Sequence, residues 1–124
     1  MILKDVSSAE LEIMKIIWTA GKPVIITDIW REIEGHDWTY QTVQTFVNRL
    51  NAKGYIKIVG KQVRSYLYLP TVTRAEYIVQ SRGDLLDGGE GASLSDVVSI
   101  MYKNGICSKE ELDKLSATVA QLLK

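Results

Sequence analysis

Residues 39–53, TYQTVQTFVNRLNAK, have the apolar spacing i, i+3, i+4, i+7 of an amphipathic helix. The apolar residues with this spacing are Val43, Phe46, Val47 and Leu50. The opposite face carries amide, hydroxyl and guanidinium groups on Gln41, Gln44, Thr45, Asn48 and Arg49. Such groups pair with base edges in a DNA major groove, and no carboxylate interrupts them. The pattern predicts a DNA-recognition helix N-capped by Thr39, or alternatively an ordinary amphipathic surface helix.

Two further helices are predicted ahead of this stretch. Ser7 and Glu10 have the spacing of a capping box and open a first helix over about residues 8–19. Three β-branched residues at 24–26 are typical of a very short strand, and a second helix follows over about residues 27–34. Three short helices, the last two joined by a somewhat long turn, indicate a helix-turn-helix arrangement.

A β-hairpin is predicted directly after the third helix, which Gly54 ends. Strand-like runs at residues 55–59 and 65–69 flank a turn whose cations are Lys61 and Arg64. A helix-turn-helix followed by a hairpin is a winged helix, and a cationic wing beside a recognition helix is placed to contact the DNA backbone or minor groove. The alternative is a hairpin tip whose charges serve solubility alone.

Three more amphipathic helices are predicted from about residue 73, the first reaching about residue 86 before a glycine-rich break at 87–91. The apolar residues of the last two are Leu94, Val97, Val98, Met101, Leu112, Leu115, Val119 and Leu122. Such a tail buries little surface alone, which favours a C2 dimer of interlocking tails over a tail folded back on its own chain. We expect a mainly α fold with a small β-hairpin: a winged-helix DNA-binding domain over residues 1–71 and a three-helix dimerisation domain over residues 72–124.

The composition is that of an ordinary soluble protein, with 46% hydrophobic and 24% charged residues in a chain of 124. No apolar run approaches the roughly 20 residues that span a bilayer. The first ten residues lack the cationic and apolar regions of a signal peptide. Because Cys107 is the single cysteine, it cannot form an internal disulfide, which fits a reducing cytoplasm. A cytoplasmic protein without membrane insertion is expected.

The net charge of zero conceals an uneven distribution. No acidic residue is found between Asp37 and Glu76, while the cationic residues there are Arg49, Lys53, Lys57, Lys61, Arg64 and Arg74. Residues 1–70 carry a net charge of +2 and residues 71–124 a net charge of −2. A local positive field of this kind is attracted to a phosphate backbone. The candidate contacts with double-stranded DNA are Thr39, Tyr40, Gln41, Thr42, Gln44, Thr45, Asn48, Arg49, Lys53, Lys61 and Arg64.

Three motifs carry a resemblance to a known family. They are SAELEIM with IW in residues 8–18, the run Y-x-TV-x-T-x-x-x-RL-x-x-KGY in residues 40–55, and Y-x-Y in residues 66–68. Over about residues 6–70 the chain resembles the penicillinase-repressor (BlaI/MecI/CopY) family, and the tail agrees in helical pattern and length. The resemblance implies a homodimeric repressor on a dyad operator. It also implies that Thr42 and Thr45 contact phosphate or base edges and that Arg49 contacts the backbone.

The chain departs from that family in three places. Gln41 and Gln44 stand where some relatives carry lysine and arginine. Since glutamine pairs with adenine and arginine with guanine, a different or less tightly bound operator is expected. The Asn-Phe bond at which antibiotic-responsive members are cleaved corresponds here to Ile100-Met101, and the Cys-x-Cys-type cluster of copper-responsive members does not occur after Cys107. The resemblance therefore does not carry the proteolytic induction route over to this chain, and a copper switch of that kind is not expected.

Catalysis and metal binding are not expected. His36 and Cys107 are the candidates for an acid–base or nucleophile pair, and they fall in different predicted domains. One histidine and one cysteine cannot supply the four ligands of a structural zinc, and no cofactor is predicted. The expected function is a DNA-binding transcriptional repressor. The alternative is a winged helix for protein–protein contact without a DNA target, although a protein interface has no need to exclude carboxylates.

Overall fold

The computed structural model describes residues 5–82 and 93–124 of the chain. The elements are α1 (Ser8–Ala20), α2 (Ile26–Glu32), α3 (Tyr40–Lys53), β1 (Ile56–Gln62), β2 (Ser65–Pro70), α4 (Arg74–Arg82), α5 (Leu94–Lys103) and α6 (Lys109–Leu122). They belong to two compact units, Met1–Ser81 and Arg82–Lys124. The mainly helical fold with a small β-hairpin that the sequence pattern predicts is confirmed.

The first helix begins at the predicted residue and ends at Ala20, one residue later than predicted. The Ser7 hydroxyl accepts a hydrogen bond from the Glu10 N–H at 3.1 Å, and the Glu10 carboxylate accepts one from the Ser7 N–H at 3.0 Å. This capping box satisfies two backbone donors that the first turn cannot pair. At the other end Gly21 has a left-handed φ of 64° and stops α1.

The second helix is shorter than predicted and begins one residue earlier. Its start at Ile26 follows from Asp28, whose carboxylate accepts a hydrogen bond from the Ile25 N–H at 3.3 Å. The predicted short strand before it is reduced to a single bridge, in which Val24 and Tyr68 exchange two backbone hydrogen bonds of 2.8 and 3.1 Å. That bridge ties the α1–α2 connection to the hairpin.

One hydrophobic core holds the first unit together. Helices α1, α2 and α3 each contribute fully buried aliphatic side chains, and the hairpin closes the core from the side. The buried apolar residues are Ile13, Met14, Ile17, Val24, Ile26, Ile29, Val43, Val47, Leu50, Tyr55, Ile56, Tyr68 and Val72. Since this core includes three residues of α3, it fixes which face of that helix is left exposed.

Strands β1 and β2 pair antiparallel in a hairpin that is longer than the sequence pattern predicts. The predicted turn at 60–64 is wrong, because residues 60–62 continue the ladder and pair with residues 65–67. Only the residues between Gln62 and Ser65 form the turn. A bulge at residue 59 interrupts the register. It lets strand pairing continue beyond the point where simple alternation of apolar and polar residues ends.

Helix α4 begins beside the hairpin. The Trp18 indole N–H donates to the Val72 carbonyl at 2.9 Å, and the Tyr77 ring lies 5.5 Å from the Trp18 ring. The first compact unit accordingly extends to Ser81. The domain boundary predicted between residues 71 and 72 stays a prediction. The predicted continuation of this helix to about residue 86 and the glycine-rich break at 87–91 lie outside the described residues.

The second unit presents its apolar residues on the surface. Ser93 and Ser108 N-cap α5 and α6, each accepting from the backbone N–H three residues on at 3.1 Å. Among residues 93–124 no side chain is buried. Within residues 5–82 and 93–124, no helix has the length and apolar content needed to cross a bilayer.

Candidate nucleic-acid interface

Helix α3 is held in a single rotational setting about its axis. Val43, Val47 and Leu50 are all 0% exposed in the core. At the N-terminus the Thr39 hydroxyl accepts from the Thr42 N–H at 3.2 Å, as predicted for the N-cap. At the C-terminus Gly54 adopts a left-handed φ of 87° that an L side chain would disfavour. The opposite face of the helix therefore points to solvent along its whole length.

The exposed face of α3 carries the polar residues that the sequence singles out. Within the described part of the chain, no side-chain hydrogen bond or ion pair engages Gln41, Gln44, Asn48 or Arg49, and all four are exposed. Thr45 is exposed as well, and its hydroxyl donates to the Gln41 carbonyl at 3.0 Å, which leaves the hydroxyl oxygen able to accept a hydrogen bond. Amide, hydroxyl and guanidinium groups are thus brought together on one rigid surface.

The first turn of α3 differs from this free surface. The hydroxyls of Thr39 and Thr42 lie 3.1 Å apart and are hydrogen-bonded to each other. The Tyr40 ring is half-buried and meets the Trp30 ring edge-on at a centroid distance of 6.0 Å. These three predicted contacts sit at the edge of the exposed face rather than at its centre.

An aromatic cluster supports the connection between α2 and α3. The Trp30 indole N–H donates to the Trp38 carbonyl at 3.1 Å, and the Trp38 ring packs on Phe46 at 5.1 Å and on His36 at 4.0 Å. Such ring contacts favour one arrangement of the loop that positions the start of α3. The sequence pattern alone did not predict this cluster, although two tryptophans close to a helix-turn-helix turn are a usable signal.

Lys53 is placed differently from the other predicted DNA contacts. Its ammonium donates to the Glu10 carboxylate at 2.7 Å and to the Asp5 carbonyl at 2.8 Å. The Glu10 side chain is only 3% exposed, so it depends on this cation. Burial by itself would raise the pKa of Glu10, but hydrogen bonds from Lys53 and Ser7 outweigh it and lower that pKa below 4.5. The pair anchors the C-terminal end of α3 to the start of α1.

The two cations of the wing that were predicted to contact DNA, Lys61 and Arg64, lie in different settings. Lys61 lies in β1 rather than in the turn, with its ammonium 5.9 Å from the centre of the Tyr66 ring. Arg64 lies in the turn, is exposed, and has no hydrogen-bonded or ionic partner within residues 5–82 and 93–124. Both stand in a stretch without carboxylates from residue 38 to 75. Carboxylates of this stretch therefore do not oppose the approach of the wing to a phosphate backbone.

The eight predicted dimerisation residues lie on α5 and α6, and none of them is buried. Val97, Val98, Met101 and Leu112 are partly exposed. Leu94 is 62% exposed, Leu115 39%, Val119 44% and Leu122 77%. The assignment of these eight residues to a dimer interface stays a prediction.

Among the described residues no group of three or more histidine, cysteine or carboxylate side chains could hold a metal ion.

The sequence of this chain matches a known protein family. Residues 6–121 match the family model described as penicillinase repressor. The chain belongs to the penicillinase-repressor family. The match includes the tail as well as the winged helix, whereas the sequence motifs covered only about residues 6–70. The resemblance drawn from those motifs is confirmed.

Individual members of the penicillinase-repressor family agree over most of the chain. Over 112 residues it is 42% identical to the methicillin resistance regulatory protein MecI of Staphylococcus aureus, which covers 90% of this chain and 89% of that protein. Over 114 residues it is 28% identical to the penicillinase repressor of Bacillus licheniformis, with 91% and 88% covered. The chain therefore spans nearly the full length of both relatives.

Two solved structures share the fold. The solution structure of the monomeric form of Bacillus licheniformis BlaI in complex with the blaP half-operator is 30% identical, with a TM-score of 0.51, and covers 61% of this chain and 92% of that chain. The crystal structure of Streptococcus pneumoniae FabT in complex with DNA is 23% identical, with a TM-score of 0.50, and covers 97% and 75%. The second likeness concerns the fold alone.

Proposed function

We propose that this member of the penicillinase-repressor family is a sequence-specific DNA-binding transcriptional repressor that acts as a homodimer on a dyad operator. The observation that carries the proposal is the exposed face of α3, where Gln41, Gln44 and Asn48 stand free on a helix fixed by the core. Relatives point the same way: the BlaI structure was determined in complex with a half-operator. Occupation of an operator by such a protein blocks transcription sterically.

In this proposal α3 enters the major groove and reads bases through amides. Gln44 and Asn48 pair with adenine N6 and N7, and Thr45 contributes its methyl group and lone pairs. Arg49 at the edge of the face, with Lys61 and Arg64 on the wing, neutralises phosphates and sets the register. Thr39, Tyr40, Gln41 and Thr42 complete the contact surface at the start of the helix. Lys53 is left out of this set because Glu10 already engages its ammonium.

The tail supplies the contact between the two protomers of the proposed dimer. Apolar side chains on α5 and α6 lie exposed in a single chain, and a second copy of the same surface covers them in a C2 dimer. Two α3 helices then face half-sites one helical turn, or a multiple of it, apart. We propose the segment from residue 72 onward as the dimerisation domain.

The proposal assigns no catalytic role and no cofactor to this chain. Regulation is its function, and it takes place in the cytoplasm, where bacterial DNA and reduced thiols such as that of Cys107 are found. The bond Ile100-Met101 lies within α5 in place of the Asn-Phe bond, so we propose release from DNA by a route other than cleavage there.

A salt titration of DNA binding tests the proposal. With three phosphate-directed cations in each protomer, we expect a log–log slope of about −5 for the dimer. Arg64→Ala is expected to make that slope shallower by about 2, one for each protomer, and to weaken binding to all sequences about tenfold near physiological salt. Mobility shift or fluorescence anisotropy on synthetic duplexes measures both quantities.

The control for Arg64→Ala is Lys114→Ala. It removes an equal charge from α6, where the side chain is 76% exposed, and should leave the slope unchanged. A slope near zero for the unaltered protein, or no binding at low salt, would contradict the proposal and favour a protein–protein module.

Base reading by Gln44 has its own test. Gln44→Ala is expected to weaken binding about tenfold on an operator that the protein has selected from a random library, because a paired adenine loses its amide partner. Binding to a scrambled duplex should not change. Gln80→Ala, which removes an exposed amide from α4, serves as the control. An equal loss on both duplexes would refute base reading by this residue.

A further inference from the structure

The tip of the wing holds a side chain in a backbone conformation that it disfavours. Among the described residues Val63 is the one non-glycine residue with a positive φ, at 57°. In this region Cβ crowds the following carbonyl, and branching at Cβ makes the conflict worse. Glycine, asparagine and aspartate are the usual residues at such a turn position. Folding alone would favour one of them here.

Val63 is also the most exposed large apolar side chain in the described residues, at 89%. It packs on no part of the core and adds nothing to the ladder, whose last pair is Gln62 with Ser65. Neither core packing nor solubility explains why a valine occupies this exposed and strained position. Strain of this kind is concentrated at functional sites, where a ligand compensates for it.

The neighbours of Val63 point to the kind of ligand. Arg64 follows it in the turn and Lys61 lies two residues before it. No carboxylate occurs from residue 38 to 75, which is the charge pattern that complements a polyanion rather than a mixed protein surface. A nucleic-acid backbone alternates phosphates with deoxyribose rings, and those rings offer apolar C–H surface between the charges.

We propose that Val63 is a DNA contact of the wing and packs its two methyl groups on a deoxyribose ring of the operator backbone. Arg64 and Lys61 neutralise the flanking phosphates. With this φ the Val63 side chain is 89% exposed at the tip of the hairpin, where the strain serves the contact. This inference rests on the DNA binding proposed above and adds a residue that reads no base.

Two substitutions separate the contact from the strain. Val63→Asn and Val63→Gly both suit the left-handed conformation and both remove the methyl groups. In the full-length protein we expect thermal midpoints that rise by roughly 2–5 °C. We expect DNA affinity to fall about three- to tenfold, equally on a library-selected operator and on a scrambled duplex of the same length. The salt slope should stay unchanged because no charge is removed.

Val63→Thr is the matched control. It keeps the branched shape and the strain, and it replaces one methyl group by a hydroxyl. Its thermal midpoint should equal that of the unaltered protein, and its loss of affinity should be smaller than that of Val63→Asn. A midpoint raised as far as that of Val63→Asn would overturn the strain argument.

The decisive result is the direction in which the thermal midpoint and the DNA affinity change. Asparagine and glycine variants that are more stable and bind DNA more weakly support the contact. Asparagine and glycine variants that bind as tightly as the unaltered protein would overturn it while DNA binding itself stands. A loss confined to the selected operator would overturn the assignment to deoxyribose. If the unaltered protein binds neither duplex at low salt, the proposed function fails, and the inference fails with it.

Discussion

Replacing Leu115 and Val119 with aspartate is expected to convert the repressor from a dimer to a monomer and to weaken operator binding by at least about a hundredfold. The two side chains are 39% and 44% exposed in the single chain, so aspartate keeps contact with water in one protomer and costs its fold less than at a buried site. At the proposed dimer interface four carboxylates would meet without partners in an apolar seam. Each protomer would then bind its half-site alone, without the effective concentration that linkage provides.

The measurement combines sedimentation equilibrium with a mobility shift on a library-selected operator. Ala117→Asp with Gln121→Asp is the matched control, because it adds the same two charges to the opposite, exposed face of α6. That control should remain dimeric and bind normally. If the double aspartate variant still sediments as a dimer, α6 is not part of the dimer interface. The proposal that α3 reads bases would not be affected by that result.

Lys53→Met is expected to lower the free energy of unfolding by about 2–3 kcal/mol, an effect far larger than that of an exposed lysine. The reason is Glu10, whose carboxylate is 3% exposed and would lose its cation while Asp5 loses a hydrogen-bond donor. One oxygen of Glu10 already has no hydrogen-bond partner, and the other would keep only the Ser7 N–H, so the cost of burying the charge would be met only in part. Urea unfolding near pH 7 followed by circular dichroism gives the value.

Two further variants make this result specific. Lys57→Met removes an exposed cation from β1 and should change stability by less than about 0.5 kcal/mol. Adding Glu10→Gln to Lys53→Met should restore much of the loss, because a neutral amide tolerates burial better than an unpaired carboxylate. Equal stability of Lys53→Met and Lys57→Met would show that the ion pair contributes nothing measurable.

The same ion pair predicts how stability responds to acid. The folded-state pKa of Glu10 is lowered from 4.5, so the folded state holds the proton less tightly than the unfolded chain. The contribution of the pair is therefore complete above about pH 4.5 and is lost as the pH falls through the lowered pKa. Glu10→Gln should flatten this loss in part, since Glu76 has a lowered pKa as well.

Much of the fold follows from local pattern because local interactions decide it. The capping box at Ser7 and Glu10, the N-cap at Thr39 and the stop at Gly54 all involve groups within a few residues of each other. Apolar spacing on α3 likewise identifies its buried face, since a helix can turn only one side to the core. These features explain why the winged helix and the polar face of α3 were predictable.

The wing was predicted less well because its register depends on pairing between strands. Alternation of apolar and polar residues ends the first strand near residue 59, but the bulge there lets pairing resume. Beyond the bulge Lys61 pairs with Tyr66, and the turn shrinks to Val63 and Arg64. No local sequence signal predicts the positive φ of Val63, since valine disfavours that conformation.

Lys53 shows the same division most clearly. In the sequence it is a cation at the end of the predicted recognition helix, and nothing distinguishes it from Arg49 as a candidate phosphate contact. Its ammonium lies 2.7 Å from a carboxylate 43 positions away, because packing of α1 on α3 brings the two helix ends together. The order of residues thus dictates helices, caps and the polar face through short-range interactions. Which cations remain free for DNA depends on long-range packing, which no spacing along the chain encodes.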